Sequence, residues 1–150
     1  MIPLIIGAAA AVGVVGGAAK ILALQSEKGA APGLVDGKLA SVGSKPNAVC
    51  SEAGTPEARA VAPFKGATLD AVLTAINATG GKIVTQQKGY AAAVYTSALM
   101  GYVDDVELRV SGKTVHIRSA SRVGYSDRGV NRARVEQIRD MLGAEKIVSG

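Results

Sequence analysis

The stretch that decides the fold runs from Tyr102 to Val123 and reads YVDDVELRVSGKTVHIRSASRV. Apolar and polar residues alternate on both sides of Ser111-Gly112, which is typical of two strands joined by a tight turn. A two-residue turn at these positions pairs Leu108 with Val115 on the apolar face, whereas a three-residue turn would mix the two faces. We therefore predict an antiparallel hairpin with one face turned toward a core.

The other face of this hairpin carries charges of both signs. The same register sets Glu107 against His116. It also sets Asp105 against Arg118. Pairs of this kind on a solvated strand face contribute little to stability. We expect an exposed ladder of ion pairs here rather than a catalytic group.

Asp104 differs from its neighbour, because adjacent strand residues point to opposite faces. It faces the core with Val106, opposite Ser119 in the predicted register, and so cannot share a substrate with Asp105. A buried carboxylate needs hydrogen bonds or a cation. We predict a structural role for Asp104, Ser119 and Asn131, in which the sheet is tied to the last helix.

Two helices and two further strands flank the hairpin. The first helix shows the i, i+3, i+4, i+7 spacing of an amphipathic helix, with Thr68 as its N-cap and Gly80-Gly81 after its end. The remaining predicted elements are strands at Lys82–Gln87 and Tyr90–Leu99, and a last helix from Asp127 to about Leu142 that ends at Gly143. The predicted fold is α+β, with a small antiparallel sheet of about four strands packed with two helices.

The N-terminal segment is predicted to be a single transmembrane helix over residues 1–24. Met1 to Ala19 carries no charged side chain and would span about 28 Å as a helix, close to a hydrocarbon core of about 30 Å. Lys20 interrupts the apolar run and can reach the headgroups. A cleaved signal peptide is the alternative, although such peptides carry positive charge ahead of the apolar run and only the α-amino group supplies it here.

Small residues recur on one face of this segment, at Ala9, Gly13 and Gly17. Their spacing lets helices approach closely in lipid, so we expect packing against other membrane protein subunits. The lysines nearest to the apolar run all follow it: Lys20, Lys28 and Lys38. The positive-inside rule then places the folded body in the cytoplasm, on a single-pass protein of the bacterial inner membrane.

Residues 25–51 are rich in Gly and Pro and hold few large apolar side chains. A stretch of this length is long for a loop inside a compact domain. We expect an extended tether over residues 25–51, between the anchor at 1–24 and an α+β domain over 52–150.

Basic residues concentrate near the C-terminus, within a net charge of +5. One hypothesis is an anion site formed by arginines and the N-terminus of the last helix. The other is a latch in which Arg122 pairs with Asp127 and the charges neutralise one another. The residues concerned are Arg118, Arg122, Asp127, Arg128 and Arg132. Nucleic acid is not expected as a partner, since aromatic residues for base stacking make up 3% of the chain.

The sequence offers no catalytic set. Its one histidine is His116 and its one cysteine is Cys50. A single cysteine excludes an internal disulfide and a multi-cysteine metal site, and one histidine makes a zinc centre improbable. The sequence neighbours of Cys50 include no activating base. We therefore predict no catalytic residue, no metal and no cofactor.

Several runs of sequence resemble one family. They are Tyr102-Val-Asp-Asp-Val-Glu107, Val115-His-Ile-Arg-Ser-Ala-Ser-Arg-Val-Gly-Tyr-Ser-Asp127 and Gly129-Val-Asn-Arg132, with Lys45-Pro-Asn47 and Val49 upstream. Over about residues 45–142 the chain resembles the bacterial and plant domain of unknown function 1499 family. The family often has cysteine where Ala48 stands and serine where Cys50 stands. The resemblance implies no established reaction, and members in bacteria and plant plastids point to energy-converting membranes.

These observations lead to one main functional hypothesis. The chain is expected to be a non-enzymatic accessory or structural subunit of a bacterial membrane protein complex, photosynthetic or respiratory. The alternative is a membrane-tethered module that binds a small anion or a lipid headgroup through the arginine-rich region. An unrecognised hydrolase is the third hypothesis.

Overall fold

The computed structural model describes residues 20–21, 23–25 and 27–148 of the chain. The strands are β1 (Leu34–Val35), β2 (Lys38–Leu39), β3 (Ala48–Cys50), β4 (Phe64–Lys65), β5 (Lys82–Gln87), β6 (Tyr90–Thr96), β7 (Val103–Ser111) and β8 (Thr114–Ser121). The helices α1 (Leu69–Ala78) and α2 (Val130–Val148) and a 3-10 turn at Glu57–Arg59 complete the folded body.

The main sheet has six strands, and its strand pairs are antiparallel. Its order is β3-β8-β7-β6-β5, and β4 follows β3 along the same edge of β8. Strands β1 and β2 form a separate two-stranded ribbon. The predicted α+β class with a mostly antiparallel sheet is confirmed, but the sheet is larger than the sequence indicated.

Helices α1 and α2 cover one face of the main sheet, here called the helix face. Helix α1 contributes Val72 and Ile76, and α2 contributes Val135 and Ile138, all with no exposed surface. They pack in one apolar cluster with strand residues such as Ile117. Removal of this apolar surface from water is the main force that holds the helices to the sheet.

Helix α1 begins and ends as the sequence predicts. The hydroxyl of Thr68 accepts a hydrogen bond from Ala71 N at 3.2 Å, which satisfies one of the unpaired amides at the helix N-terminus. After Ala78 the chain turns at Gly80-Gly81. A Cβ on Gly81 would lie 2.5 Å from Ile76 Cγ2, so the backbone can approach the helix there only without a side chain.

Helix α2 begins at Val130, after Asp127. The Asp127 carboxylate accepts hydrogen bonds from Gly129 N at 2.9 Å and Asn131 N at 3.0 Å, as a capping residue does. The predicted end at Gly143 is wrong, because α2 continues to Val148. Glycine weakens a helix interior by only about 1 kcal/mol relative to alanine, so it does not by itself end one.

The β7–β8 hairpin keeps its predicted faces but not its predicted register. The two-residue turn lies at Gly112-Lys113, one position later than expected, and Gly112 has a positive φ of 56°. Leu108 therefore pairs with Ile117 instead of Val115. Moving the turn by one residue moves the pairing by two, and a shift of two leaves every side chain on its original face.

Residues 31–45 lie across the other face of the main sheet. We call them the covering strip and call this side of the sheet the strip face. Leu39 and Val42 of the strip are buried, in one cluster with Tyr90, Ala92 and Ala120 of the sheet. The expected tether over residues 25–51 thus contains β1, β2 and β3 and closes the second face of the sheet.

The predicted anchor at residues 1–24 lies mostly outside the described residues, and Ala9, Gly13 and Gly17 lie wholly outside them. Within the part of the chain that the structure describes, no helix combines the length and the apolar character that a membrane crossing requires.

Candidate functional site

Acidic side chains are buried on both faces of the main sheet. Asp105 is 4% exposed and Glu107 is 0% exposed. The prediction that these carboxylates form solvent-exposed ion pairs is therefore wrong. The faces were assigned correctly, but the covering strip lies against Glu107, and Arg122 with the preceding chain lies against Asp105. A buried carboxylate needs partners, and Arg118 of β8 and Arg122, directly after β8, supply them.

Glu107 is the most deeply buried of these groups. Its Oε2 accepts hydrogen bonds from the Tyr90 hydroxyl at 2.7 Å and from Gly33 N of the strip at 3.0 Å. Its Oε1 lies 3.5 Å from Arg118 Nη1, a distance that makes an ion pair but no hydrogen bond. Burial raises the pKa of Glu107 above its ordinary value, and burial also raises the pKa of Tyr90.

Arg118 joins the sheet to the covering strip. It lies directly opposite Glu107 in the β7–β8 pairing. Its guanidinium also donates to Ala40 O at 3.0 Å and to Ser41 O at 3.3 Å. Arg118 therefore compensates a buried carboxylate and holds the strip backbone at the same time.

Glu52 and Arg109 form a second link between the N-terminal part of the body and β7. Arg109 donates two hydrogen bonds to the carboxylate of Glu52, at 2.6 and 2.8 Å. Leu39 N also donates to Glu52, at 3.2 Å. Burial acts to raise the pKa of Glu52, but the hydrogen bonds from Arg109 and Leu39 N hold that pKa below its ordinary value.

Arg122 pairs with Asp105 rather than with the expected Asp127. Two hydrogen bonds of 2.8 Å join its guanidinium to the Asp105 carboxylate. Its Nη1 also lies 3.5 Å from Glu27 O, at the start of the described chain. A Cβ on Gly29 would lie 2.8 Å from Arg122 Cδ, so the incoming chain runs directly over this side chain.

A polar cluster on the helix face surrounds Asn131, which is 0% exposed. Ser119 donates to Asn131 Oδ1 at 2.6 Å, and Arg134 donates to the same oxygen at 2.8 Å. Arg134 also donates to Asp104 at 2.8 Å. Asp104 is thereby joined to α2 through Arg134, a residue that the sequence pattern did not single out. Arg134 lies three residues after the buried Asn131, on the same side of the helix, and this spacing is the signal that could have identified it.

The five residues named for an anion site or latch do not converge. Arg118 and Arg122 lie on the strip face, and Asp127 caps α2. Arg132 donates to Ala58 O and Ala60 O, at 2.9 and 3.0 Å. Arg128 is exposed and has a positive φ of 54°. Arg118, Arg122 and Arg132 thus bind carbonyl oxygens or carboxylates of the protein at separate places.

Ser51 and His116 form a hydroxyl–imidazole contact of 3.0 Å. The Ser51 hydroxyl also accepts from Ile117 N at 2.9 Å, so it fastens β3 to β8. An open cavity of about 330 Å³ next to these strands is lined by Cys50 and Glu52 but not by Ser51 or His116. Burial raises the pKa of the Cys50 thiol, which keeps it protonated and weakly reactive.

Apolar side chains are exposed at one end of the molecule, near the β6–β7 loop and the β8–α2 connection. They are Leu99 (92% exposed), Tyr125 (71%), Val130 (48%) and Met100 (40%). We call this group the end surface. Met100 and Val130 border an open cavity of about 470 Å³. Its lining is completed by Ser97, Tyr102, Asp104, Ser121, Val123, Gly124, Ser126, Asp127 and Arg128.

The incoming chain reaches the molecule at this same end. Residues 20–21, 23–25 and 27 are helical. A Cβ on Gly101, in the β6–β7 loop, would lie 3.8 Å from Ala23 Cβ. In the described part of the chain, no group of three or more His, Cys, Asp or Glu side chains is arranged to hold a metal ion.

One known protein family matches the greater part of this chain. The model of the family described as Protein of unknown function (DUF1499) matches residues 38–142, which run from β2 into α2. The chain belongs to this family. The matched DUF1499 region includes both partners of every ion pair described above. No curated protein and no solved structure matches the chain.

Proposed function

We propose that this DUF1499 protein is a non-catalytic accessory or structural subunit of a bacterial membrane protein complex. The observation that carries the proposal is the contrast between its charged and its apolar side chains. Four carboxylates are buried and paired within the fold, those of Glu52, Asp104, Asp105 and Glu107, whereas large apolar side chains are exposed at the end surface.

Catalysis by side chains needs a titratable or nucleophilic group that can reach a substrate. Glu107 is closed over by the strip, and Cys50 is 1% exposed. Asp104 and Asp105 each bind an arginine at 2.8 Å. Their positions favour a structural role, in which the polar groups fix the fold and the apolar surface makes the external contacts.

The alternative, an anion-binding module, receives less support from the geometry. An anion site requires donors that converge on one point. The arginines of this region point to separate faces, and Arg118, Arg122 and Arg132 are engaged with groups of the protein itself.

The N-terminal segment is the second basis of the proposal. Residues 1–19 carry no charged side chain, and Ala9, Gly13 and Gly17 recur every four residues. In a lipid environment such spacing lets neighbouring helices approach closely. The segment is proposed to hold the protein in the membrane and to pack against helices of partner subunits, with the folded body on the cytoplasmic side.

Purification of the tagged full chain from its native membranes in mild detergent tests this function. Wild type is expected to bring partner subunits in fixed stoichiometry. Gly13→Leu should lose them and remain in the membrane, because close helix packing has no room for the added side chain. Val15→Leu, on the opposite side of the proposed helix, is the matched control and should retain them. Recovery of the wild-type chain alone would contradict the proposal.

A further inference from the structure

We propose that the end surface docks on the lipid bilayer and sits among the headgroups. This inference rests on the proposed membrane location of the N-terminal segment and names a second contact with the same membrane. It concerns Leu99, Met100, Tyr125 and Val130, none of which has a role in the ion pairs or in the core described above.

The exposure of these residues needs an explanation outside the monomer. Leu99 is 92% exposed at the tip of the β6–β7 loop, and Tyr125 is 71% exposed in the neighbouring connection. Single exposed apolar residues are common on protein surfaces, but a contiguous group marks a contact with another apolar phase. Met100, next to Leu99, lines the same cavity as Gly124 and Ser126, which flank Tyr125, so the β6–β7 loop and the β8–α2 connection face the same space.

The position at which the N-terminal segment meets the folded body indicates that this apolar phase is the lipid bilayer. Ala23 lies beside Gly101, and Ala19 ends the run that carries no charged side chain. Four residues of helix rise about 6 Å. The headgroup layer outside the hydrocarbon core is about 5–8 Å thick on each side. If the apolar run fills the hydrocarbon core, the β6–β7 loop therefore lies at the level of the headgroups.

The arrival of the chain is also fixed in position. Arg122, held by Asp105 through two hydrogen bonds, reaches Glu27 O and packs under Gly29. The domain is thus not free to swing away on a long linker. The Arg122 contact keeps the end surface next to the point where the chain leaves the membrane.

The residue types of this end suit a lipid interface. Tyrosine places an apolar ring and a polar hydroxyl across the boundary between hydrocarbon and water. Leucine and methionine at a loop tip present apolar surface that gains from burial at the boundary between headgroups and acyl chains. Lys20, Lys28 and Arg128 are exposed at or near this end and would attract anionic headgroups.

A tryptophan probe can test the docking, because the chain contains no tryptophan of its own. Leu99→Trp places an indole on the end surface. Ser111→Trp is the matched control, since Ser111 is also exposed and lies at the far end of β7 from the β6–β7 loop. The two ends of this strand are about 27 Å apart. Both full-length variants are reconstituted into vesicles of phosphatidylcholine and phosphatidylglycerol, with or without brominated acyl chains.

The indole of Leu99→Trp is expected to be quenched in brominated vesicles, as an indole at the boundary of headgroups and acyl chains would be. Ser111→Trp should lose none. Tyr125→Trp provides a second probe of the same surface and should behave like Leu99→Trp. Flotation of the vesicles on a density gradient reports membrane association independently of the probe.

Each other outcome overturns the inference in a distinct way. A chain that floats while both end-surface indoles escape quenching keeps its membrane location but has no lipid docking. A chain that does not float has neither the proposed membrane location nor the proposed lipid docking. Indoles that are protected from acrylamide in native membranes, but escape brominated lipid, would show that a protein partner rather than lipid covers the end surface.

Discussion

The helix face and the strip face of the main sheet are closed by different chemistry. Under α1 and α2 lie apolar side chains, with one polar cluster around Asn131. On the strip face lie three ion pairs and few large apolar residues. Apolar burial is non-directional, whereas an ion pair needs a particular partner in a particular register. A Gly- and Pro-rich segment without a strong apolar pattern can therefore be held in one place by ion pairs and hydrogen bonds.

The largest expected effect comes from removing a cation from the strip face. Arg118→Ala should lower the free energy of unfolding by about 3–5 kcal/mol, because it leaves the buried carboxylate of Glu107 without its compensating charge. Urea denaturation of the full chain, followed by circular dichroism, measures the change.

Two further variants sharpen this test. Arg128→Ala, at an exposed position, should change the same free energy by no more than about 0.5 kcal/mol. Arg118→Met combined with Glu107→Leu should cost less than Arg118→Ala alone, since no charge is then left buried. If Arg118→Ala costs no more than Arg128→Ala, the strip does not close this face in solution.

Substitutions of two adjacent aspartates, one on each face, compare the two faces of the sheet directly. Asp104→Ala, on the helix face, and Asp105→Ala, on the strip face, should each cost about 1–3 kcal/mol, because each leaves the polar partners of a buried group unpaired. The sequence alone predicted a cost under about 1 kcal/mol for Asp105, as for an exposed pair. Denaturant melts of both variants decide between these values. A cost near zero for Asp105→Ala would support the solvent-exposed ion pairs that the sequence predicted.

Two carboxylates of the strip face should make the free energy of unfolding depend on pH in opposite ways. The pKa of Glu107 is raised above 4.5 in the folded state, so its contribution to stability is present below pH 4.5 and is lost as the pH rises through the folded pKa. The pKa of Glu52 is lowered below 4.5, so its contribution is present above pH 4.5 and is lost as the pH falls through the folded pKa.

The free energy of unfolding, measured across this pH range, tests both signs. Glu107→Gln should flatten the decline on the alkaline side of pH 4.5, and Glu52→Gln should flatten the decline on the acid side. Asp104→Asn, on the helix face, serves as the comparison for a carboxylate outside the strip face. Identical pH profiles for wild type and Glu107→Gln would mean that this carboxylate is solvated.

The smallest expected effect concerns the start of α2 on the helix face. Asp127→Ala should cost about 1 kcal/mol, because the amides of Gly129 and Asn131 lose their acceptor. Asp127→Ser keeps a capping oxygen and should recover part of the loss, while Asp140→Ala, at an exposed helix position, should be close to neutral. Thermal melts suffice for this comparison, and equal melting temperatures for Asp127→Ala and wild type would argue against the cap.

Local sequence patterns predicted the helix face well. Apolar spacing located α1, the capping residues Thr68 and Asp127 marked two helix starts, and alternation gave the faces of β7 and β8. These features depend on residues close together in the chain, so the sequence displays them directly. The register of the hairpin was missed because either of two adjacent residue pairs around Gly112 could form the turn.

The strip face could not be predicted in the same way. Its contacts join residues far apart, such as Gly33 with Glu107 and Glu52 with Arg109. A charged residue on a strand gives no local sign of whether it will be buried with a partner or solvated. One signal was present, because Ala91, Ala92 and Ala93 are consecutive and small, and a strand apolar on both faces is covered on both faces.

The separation between Glu52 and Arg109 also has a consequence for biosynthesis. The two residues are 57 positions apart, and the ribosome makes Glu52 first. At about 5–20 residues per second, Glu52 waits about 3–11 s before its partner exists. During that time the strip has no sheet to cover, and the growing chain depends on its polar, Gly-rich character to stay free of wrong contacts. The composition that makes the strip resemble a linker thus suits a segment that has to stay unpaired until the last strands have been translated.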